Sequence, residues 1–403
     1  MPSKIRHALI ALSLGLFFTT NTYARIKLIT LPVREHVEIQ LENENTTIIE
    51  EERIVPLRKG TNEIDFSWHN TSIKPDTIVF RVLPSDDANA SLKANVLSVS
   101  YPPNESALTW TVSASAHGSA RVRITYAIER LDRSYHYIAR ANTDETLMDL
   151  QQYVKVNNQS GEAFLNADIN TGSGRAIRLP MGLDESQEFL NQQFKAIPID
   201  KTYTVNAATL GYRDRAQDKL KVLMHYNIHN DAKHNLGQQS LAAGKVRIYQ
   251  RDSNGTRVFI GEDWGKFIAR EDSGQLFVGE ARDIVVKRTI ESKKRQRING
   301  NLYNINAIVK YEIENFKDKP LNLIIEESIP LLRDEVFSSR RPRMAVQVIE
   351  WQIGKQNSFS SEPLKKQSDS QTIAYQVTLP ARTGQSKVLK LEKKLHILIK
   401  NEW

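Results

Sequence analysis

His225, His229 and His234 crowd one short stretch of the chain, and His225 and His229 have the i, i+4 spacing that puts two zinc ligands on one helix face. The residue after His225 is Tyr226, where a zinc hydrolase of that pattern has its glutamate base. Leu220, Val222, Met224, Tyr226 and Ile228 alternate with polar neighbours, which is the period of a strand. On a strand, residues four apart are separated by about 13 Å, whereas each ligand of a zinc ion lies ~2 Å from it. The sequence therefore predicts histidines on the polar face of a strand, with no metal and no other cofactor.

The glycine-rich and nucleophile-like stretches are equally bland. Thr171-Gly172-Ser173-Gly174 lacks the Lys-Ser/Thr ending and the long helix of a phosphate-binding loop, so a hairpin turn is expected. Asn158-Gln159-Ser160-Gly161 also reads as a turn, because Ser160 lacks the Gly-x-Ser-x-Gly setting of a nucleophile elbow. No acidic pair is marked out for glycoside hydrolysis, and the catalytic assignment is none. A glycan-active hydrolase with unrecognised carboxylates is the alternative.

Aromatic side chains offer another chemistry, stacking on sugars. The candidates are Trp68, Trp110, Trp264, Trp351, Trp403 and the Tyr135-His136-Tyr137 run. Trp110 sits on an apolar stripe and is expected in the core. Tyr135 and Tyr137 share a strand face and are expected to be partly exposed. Trp403 follows alternating Leu395, Ile397 and Ile399, an ending similar to that of outer-membrane barrels. A lipid-facing strand needs a continuous apolar outer band. Many strands here carry Lys, Arg or Glu on the non-core face, and the alternation breaks at Asn401. A final sandwich strand is expected, and an outer-membrane-associated barrel is a second alternative.

Cations cluster at Lys287-Arg288, at Lys293-Lys294-Arg295-Gln296-Arg297 and at Arg340-Arg341-Pro342-Arg343. Ile284 to Ile290 and Tyr303 to Ile313 read as antiparallel neighbours. The chain between them then projects Lys293, Lys294, Arg295 and Arg297 from the end of a sandwich. Four cations so close together attract anions over ~8 Å in physiological salt. An envelope protein or an anionic envelope polymer is the expected partner, and nucleic acid is not.

Period-two alternation also builds the scaffold. Leu108, Trp110, Val112 and Ala114 share one face; after Gly118-Ser119, Val122, Ile124, Tyr126 and Ile128 resume it. These two runs are expected to form an antiparallel hairpin over a core. Val246 and Ile248 begin a second hairpin, turned by Asp252-Ser253-Asn254-Gly255, where Asn-Gly supplies positive φ at little steric cost. Tyr303 to Ile313 and Ile373 to Leu379 add further stripes. Helix signals are confined to Asp184–Phe194, with Asp184 as cap, and Thr143–Leu150. Neither is long enough for the crossover of a parallel sheet. The fold class is all-β: two antiparallel β-sandwich-like domains with few short helices.

Lys4 and Arg6, the uncharged run Ala8 to Phe18 and the small residues of Thr22-Tyr23-Ala24 have the order of a secretory leader. The apolar run is shorter than the ~20 residues a membrane helix needs, so no integral span is expected after cleavage at Ala24. Without its two leader cations the chain of net charge +8 drops to +6. There is no cysteine, so neither disulfides nor a cysteine-linked lipid can anchor it. At roughly 150 residues per domain, 403 residues hold two or three domains. The expected division is 1–24 leader, 25–190 N-terminal sandwich-like domain and 191–403 C-terminal sandwich domain, in a periplasmic or secreted protein.

Several blocks carry a resemblance. Ile49-Glu-Glu-Glu-Arg53 leads to Val55-Pro-Leu57, Gly60-Thr-Asn62 and Ile73-Lys-Pro-Asp76. Trp110, Thr125-Tyr126, Leu147-Met-Asp-Leu150, Val156-Asn-Asn158-Gln-Ser-Gly161 and Ala163 to Asp168 follow. The most specific pieces are Leu241-Ala-Ala-Gly244-Lys-Val-Arg-Ile-Tyr249 and Phe259-Ile-Gly-Glu262. Over residues 46–403 the chain resembles the mucoidy-inhibitor-A-like proteins, whose C-terminal part is a bacterial domain of unknown function. Some of these carry a coiled coil between the halves; no heptad run exists here, so the chain resembles the compact form. The resemblance implies export, β-sandwich domains and an envelope role, and it brings no catalytic residue. The expected function is a non-enzymatic binding or structural module of the envelope.

Overall fold

The computed structural model describes residues 28–43, 46–84, 92–207, 219–328, 330–332, 351–353, 371–382 and 390–402. The leader, the Arg340–Arg343 cluster and Trp403 lie outside them. The described chain is 67% strand and 3% helix, so the protein is all-β. Its strands, numbered along the chain, form five sheets rich in antiparallel pairs.

The first sheet has the order β1 (Leu28–Thr30), β4 (Gly60–Ser67), β7 (Ala107–Ala114), β6 (Ala94–Ser100). The second runs β12 (Ile177–Met181), β11 (Phe164–Asn170), β2 (His36–Gln40), β3 (Thr47–Leu57), β8 (Gly118–Ile128), β5 (Val79–Val82). These two sheets share a core in which apolar residues alternate inward, as on β7, where Leu108, Trp110, Val112 and Ala114 are buried. Rings from opposite sheets lock them together. Trp110 lies 4.6 Å from Phe80, and Phe66 lies 5.8 Å from Tyr126, between centroids, spacings at which aromatic pairs add to area burial.

The expected hairpin of β7 with β8 does not form. β7 pairs with β4 and β6, whereas β8 pairs with β3 and β5 in the facing sheet. Around Ser115 to His117 the chain therefore crosses from one sheet to the other. Alternation specifies which face is buried, and both strands bury toward the same core; it does not specify the neighbouring strand.

The third sheet runs β13 (Glu185–Pro198), β10 (Leu147–Asn158), β9 (Leu131–Ala141), β16 (Gly244–Arg251), β17 (Arg257–Gly265). It takes strands from both sides of position 190, which itself falls inside β13. The expected helix at 184–194 is this strand. Asp184 has φ +52, not the extended backbone of a helix cap. Register shifts at Met148/Leu150 and Gln152/Tyr153 break the simple alternation, leaving Phe189, Leu190 and Phe194 with a helix-like spacing. Residues 143–146 are likewise a turn, in which Asn142 Oδ1 accepts from the backbone of Thr146 and Leu147. The second predicted hairpin is present as β16 and β17, with Gly255 at φ +82 in its turn.

The fourth sheet is β18 (Ser273–Glu280), β15 (Leu223–His229), β14 (Asp200–Asn206), β21 (Leu321–Ser328), β23 (Thr372–Leu379). The fifth is β19 (Ile284–Asn299), β20 (Leu302–Asn315), β24 (Lys390–Glu402), β22 (Trp351–Ile353). One face of the fourth sheet serves two cores. Tyr226, Ile228, Leu276 and Val278 join the core that includes the third sheet. Tyr203, Val205, Leu323 and Ile325 join a second core with Val309, Tyr311 and Ile313 of β20. The register Lys201↔Tyr226 and Tyr203↔Leu323 puts these residues on the same side.

Both cores contain a buried carboxylate held by arginine. Glu51 on β3 is fully buried and accepts hydrogen bonds from Arg34 and Arg53. Glu327 on β21 accepts from Arg288 Nε at 2.8 Å and Nη2 at 3.2 Å, and from the Tyr311 hydroxyl. A buried charge is tolerated only when paired and hydrogen-bonded in this way.

Candidate functional site

The four singled-out cations lie on the β19–β20 arm of the fifth sheet, along which β24 pairs with β20 as far as Tyr303↔Glu402, rather than in a loop. β19 and β20 stay paired from Ile284↔Asn315 to Asn299↔Leu302, so the turn shrinks to Gly300 (φ +51) and Asn301. The sequence expectation of a projecting loop is thereby corrected: the alternation of β20 continues to its tip, and β19 follows it. The register also divides the cations. Lys293, Arg295 and Arg297 lie opposite Ala307, Ile305 and Tyr303, on one face; Lys294 lies opposite Asn306, on the other. Arg295 stacks over the Tyr303 ring at 4.8 Å, and Arg297 Nε donates to the Gly300 carbonyl at 2.7 Å. Lys294, Arg295 and Arg297 are exposed, and no acidic residue occurs between Ser292 and Tyr311. Arg288, in the neighbouring basic pair, points the other way: its parity with Ile284 and Val286 takes it into the core, onto Glu327.

β15 is the predicted strand, with Tyr226 and Ile228 buried. His225, Asn227 and His229 share the opposite face and line a cleft of about 700 Å³ with Gln275 and Phe277 of β18. The His225 ring lies 5.6 Å from Phe277. Burial pulls its pKa below the ordinary histidine value, with Asp263 opposing, so the imidazole is neutral at pH 7. Its Nδ1 is buried with no hydrogen-bond partner among the described residues. His234, in the 3-10 turn Ala232–His234, has its ring 4.7 Å from that of His229 and its Nδ1 2.6 Å from Asp231 Oδ1. Among the described residues no group of three or more His, Asp or Glu is placed to hold a metal.

A second cleft, of about 880 Å³, opens at the ends of β9 and β11. Its wall includes Arg130, Asp132, Arg133, Ser134 and Tyr135 from the start of β9, Glu42, and the Gly172-Ser173 turn between β11 and β12. The Thr171–Gly174 segment is the expected turn. A neutral network holds it: Asn191 Nδ2 donates to Ser173 O and to Gln152 Oε1, and Gln152 Nε2 donates to the Tyr137 hydroxyl. Arg133 Nη2 donates to the Glu42 carbonyl at 2.9 Å while its guanidinium stacks on Tyr135. Its Nε is buried without a described partner.

Trp264 and Phe267 line both clefts. Their positions are fixed from both ends. Asp263 accepts from the Trp264 backbone N–H and from Phe277 N–H on β18, each at 2.8 Å. After Phe267, Ile268 and Leu241 exchange backbone hydrogen bonds of 3.0 and 2.9 Å.

Of the other candidate aromatics, Trp110 is buried as expected and Trp68 packs against the same core. Tyr135 and Tyr137, expected to be partly exposed, are buried; their hydroxyls donate to Thr171 O and Ala242 O. Their parity on β9 faces the core, and burying a tyrosine is tolerable once its hydroxyl has a partner. Phe267 and Arg133 carry no motif, and only the fold brings them together. Ser160 is confirmed as a turn residue, its hydroxyl spent on Asn158 Oδ1 at 2.6 Å.

No family model and no curated protein matches the chain. No helix among the described residues is long and apolar enough to cross a membrane.

Proposed function

We propose that this protein is an exported component of the bacterial envelope, similar to the mucoidy-inhibitor-A-like proteins, acting as a non-enzymatic binding module that holds an anionic envelope polymer. The observation that carries the reading is the β19–β20 arm. Its distal half bears Lys293, Lys294, Arg295 and Arg297 with no acid between Ser292 and Tyr311. A strand pair presenting four cations within five residues is a surface for anions, with a reach set by screening. The fully buried carboxylates, Glu51 and Glu327, are committed to arginine partners within the cores.

The test is retention on immobilised polygalacturonate. The unmodified protein should be retained and should elute earlier as salt rises. Changing Lys293, Lys294, Arg295 and Arg297 together to Ser should abolish retention while shifting stability by no more than about 0.5 kcal/mol per exposed position. Retention indifferent to both changes would overturn the reading. Intact mass of the exported protein should correspond to a chain starting at Arg25; a mass that includes Met1 to Ala24 would overturn the export part.

A further inference from the structure

We propose that Trp264 and Phe267 form a stacking platform on which an uncharged oligosaccharide lies, reaching into the clefts on both sides. This site is separate from the basic arm in residues and in ligand charge, and so goes beyond the function proposed above.

Trp264 is 65% exposed and Phe267 62%. Two large rings so wet, three positions apart, forgo burial that each would gain on the inside of a fold. They are not loose: the Asp263 bridge to β18 and the Leu241–Ile268 pairing hold the segment at either end. Exposed aromatic faces carried on an anchored backbone match the C–H face of a pyranose.

The hydroxyl edge of a sugar needs donors and acceptors beside that surface. Ser134 and Ser240 supply them in the larger cleft, Asn227 and Gln275 in the smaller. Each cleft also has a lining residue with an unused buried nitrogen, Arg133 Nε in one and His225 Nδ1 in the other. Buried polar groups normally find a partner, and a ligand hydroxyl is a suitable one.

Charge selects among ligands. The charged residues lining the larger cleft are Glu42, Glu129 and Asp132 with Arg130 and Arg133; those lining the smaller are Asp263 and Lys266. Near balance gives neither a polyanion nor a polycation an advantage, in contrast to the arm.

The experiment is calorimetric titration of the full chain with uncharged hexasaccharides of glucose, mannose, galactose and N-acetylglucosamine. At least one should bind, with an affinity unchanged when salt is raised from about 0.05 to 0.5 M, where screening would weaken an ionic contact. Trp264→Ala and Phe267→Ala should each weaken binding by about tenfold or more, as expected for loss of an aromatic contact. Both should melt like the unmodified protein, since the rings are exposed. The Ser-substituted arm should bind the same sugar unchanged. Absence of binding by all four sugars overturns the proposal, as does affinity that survives Trp264→Ala or falls with salt.

Discussion

The Tyr226 hydroxyl donates to Glu145 Oε1 at 2.6 Å, joining a strand of the fourth sheet to the turn that ends β9 in the third. Lys201 Nζ lies 2.5 and 2.7 Å from the two oxygens of the same carboxylate. Lys201 and Tyr226 are direct partners across β14 and β15, on the face shared by the two cores. Glu145 thus sits where one core gives way to the other. Burial, with the carboxylate second, raises the Tyr226 pKa well above the usual phenol value, and burial pushes that of nearby Tyr203 up to about 12. Both phenols stay protonated, so Tyr226 remains a donor.

Glu145→Gln should therefore destabilise the protein by about 1–3 kcal/mol, because Lys201, largely buried, loses its counter-charge. Tyr226→Phe should cost about 1.5–3 kcal/mol, the range for a hydrogen bond to a charged group. The double variant should lose less than the sum, since both changes disrupt one network. Urea unfolding monitored by far-UV circular dichroism measures all three; strict additivity would show that the two side chains act independently.

Arg288 and Glu327 lie inside the second core, with side chains 5% and 2% exposed. Arg288→Met or Glu327→Leu alone removes one member of a buried charge pair and should cost about 3–5 kcal/mol. The two together remove both charges and should recover most of that loss. A double variant no better than the singles would mean that the pair, with Tyr311, supplies packing an apolar substitute cannot reproduce.

His225 gives a pH dependence with a definite sign. Its pKa in the fold lies below the unfolded value of about 6.5, through burial. The stability it contributes is complete above the unfolded pKa and is lost as pH falls toward the folded pKa, because the unfolded chain takes up a proton that the folded one refuses. Its imidazole resonance should titrate with a midpoint below 6.5. His225→Phe should flatten the fall in unfolding free energy that begins near pH 6.5. A midpoint above that value would contradict the burial of the ring.

Much of this was readable as parity along strands. Ile284, Val286 and Arg288 share one parity on β19, as do Leu323, Ile325 and Glu327 on β21, so the buried ion pair was encoded in the same alternation that marks the apolar stripes. Taken as neighbours in sequence, Lys287-Arg288 looks like a surface pair; taken as a strand, the two must part. The same logic splits Lys294 from Lys293 and Arg295. What parity could not yield was strand adjacency, hence the β7–β8 error, or a strand interrupted by bulges, hence the helix expected at 184–194. The Trp264 platform was half legible. Trp264 stood out as an aromatic, but Arg133, Ser173 and His225 line the clefts beside it only through the long-range placement of β9, the β11–β12 turn and β15, which no local pattern records.

Gly261 and Gly244 stand where a side chain would meet the backbone of a neighbouring strand. A Cβ on Gly261 would stand 2.0 Å from the Val278 carbonyl oxygen, and one on Gly244 2.3 Å from that of Tyr135. Neither obstacle can rotate away, because both are strand backbone. Gly261→Ala should push β17 off β18 at a cost near the top of the overpacking range, about 3 kcal/mol. Gly255, in the hairpin turn, has φ +82 but nothing within 4 Å of an added Cβ. Gly255→Ala should cost only the left-handed backbone penalty, about 1–2 kcal/mol. Because β17 carries Asp263, which accepts from Phe277 N–H on β18, Gly261→Ala should also move Trp264, seen as a change in tryptophan emission that Gly255→Ala does not produce. Equal losses of stability in the two variants, with emission unaltered in both, would mean that β17 and β18 are not in close contact.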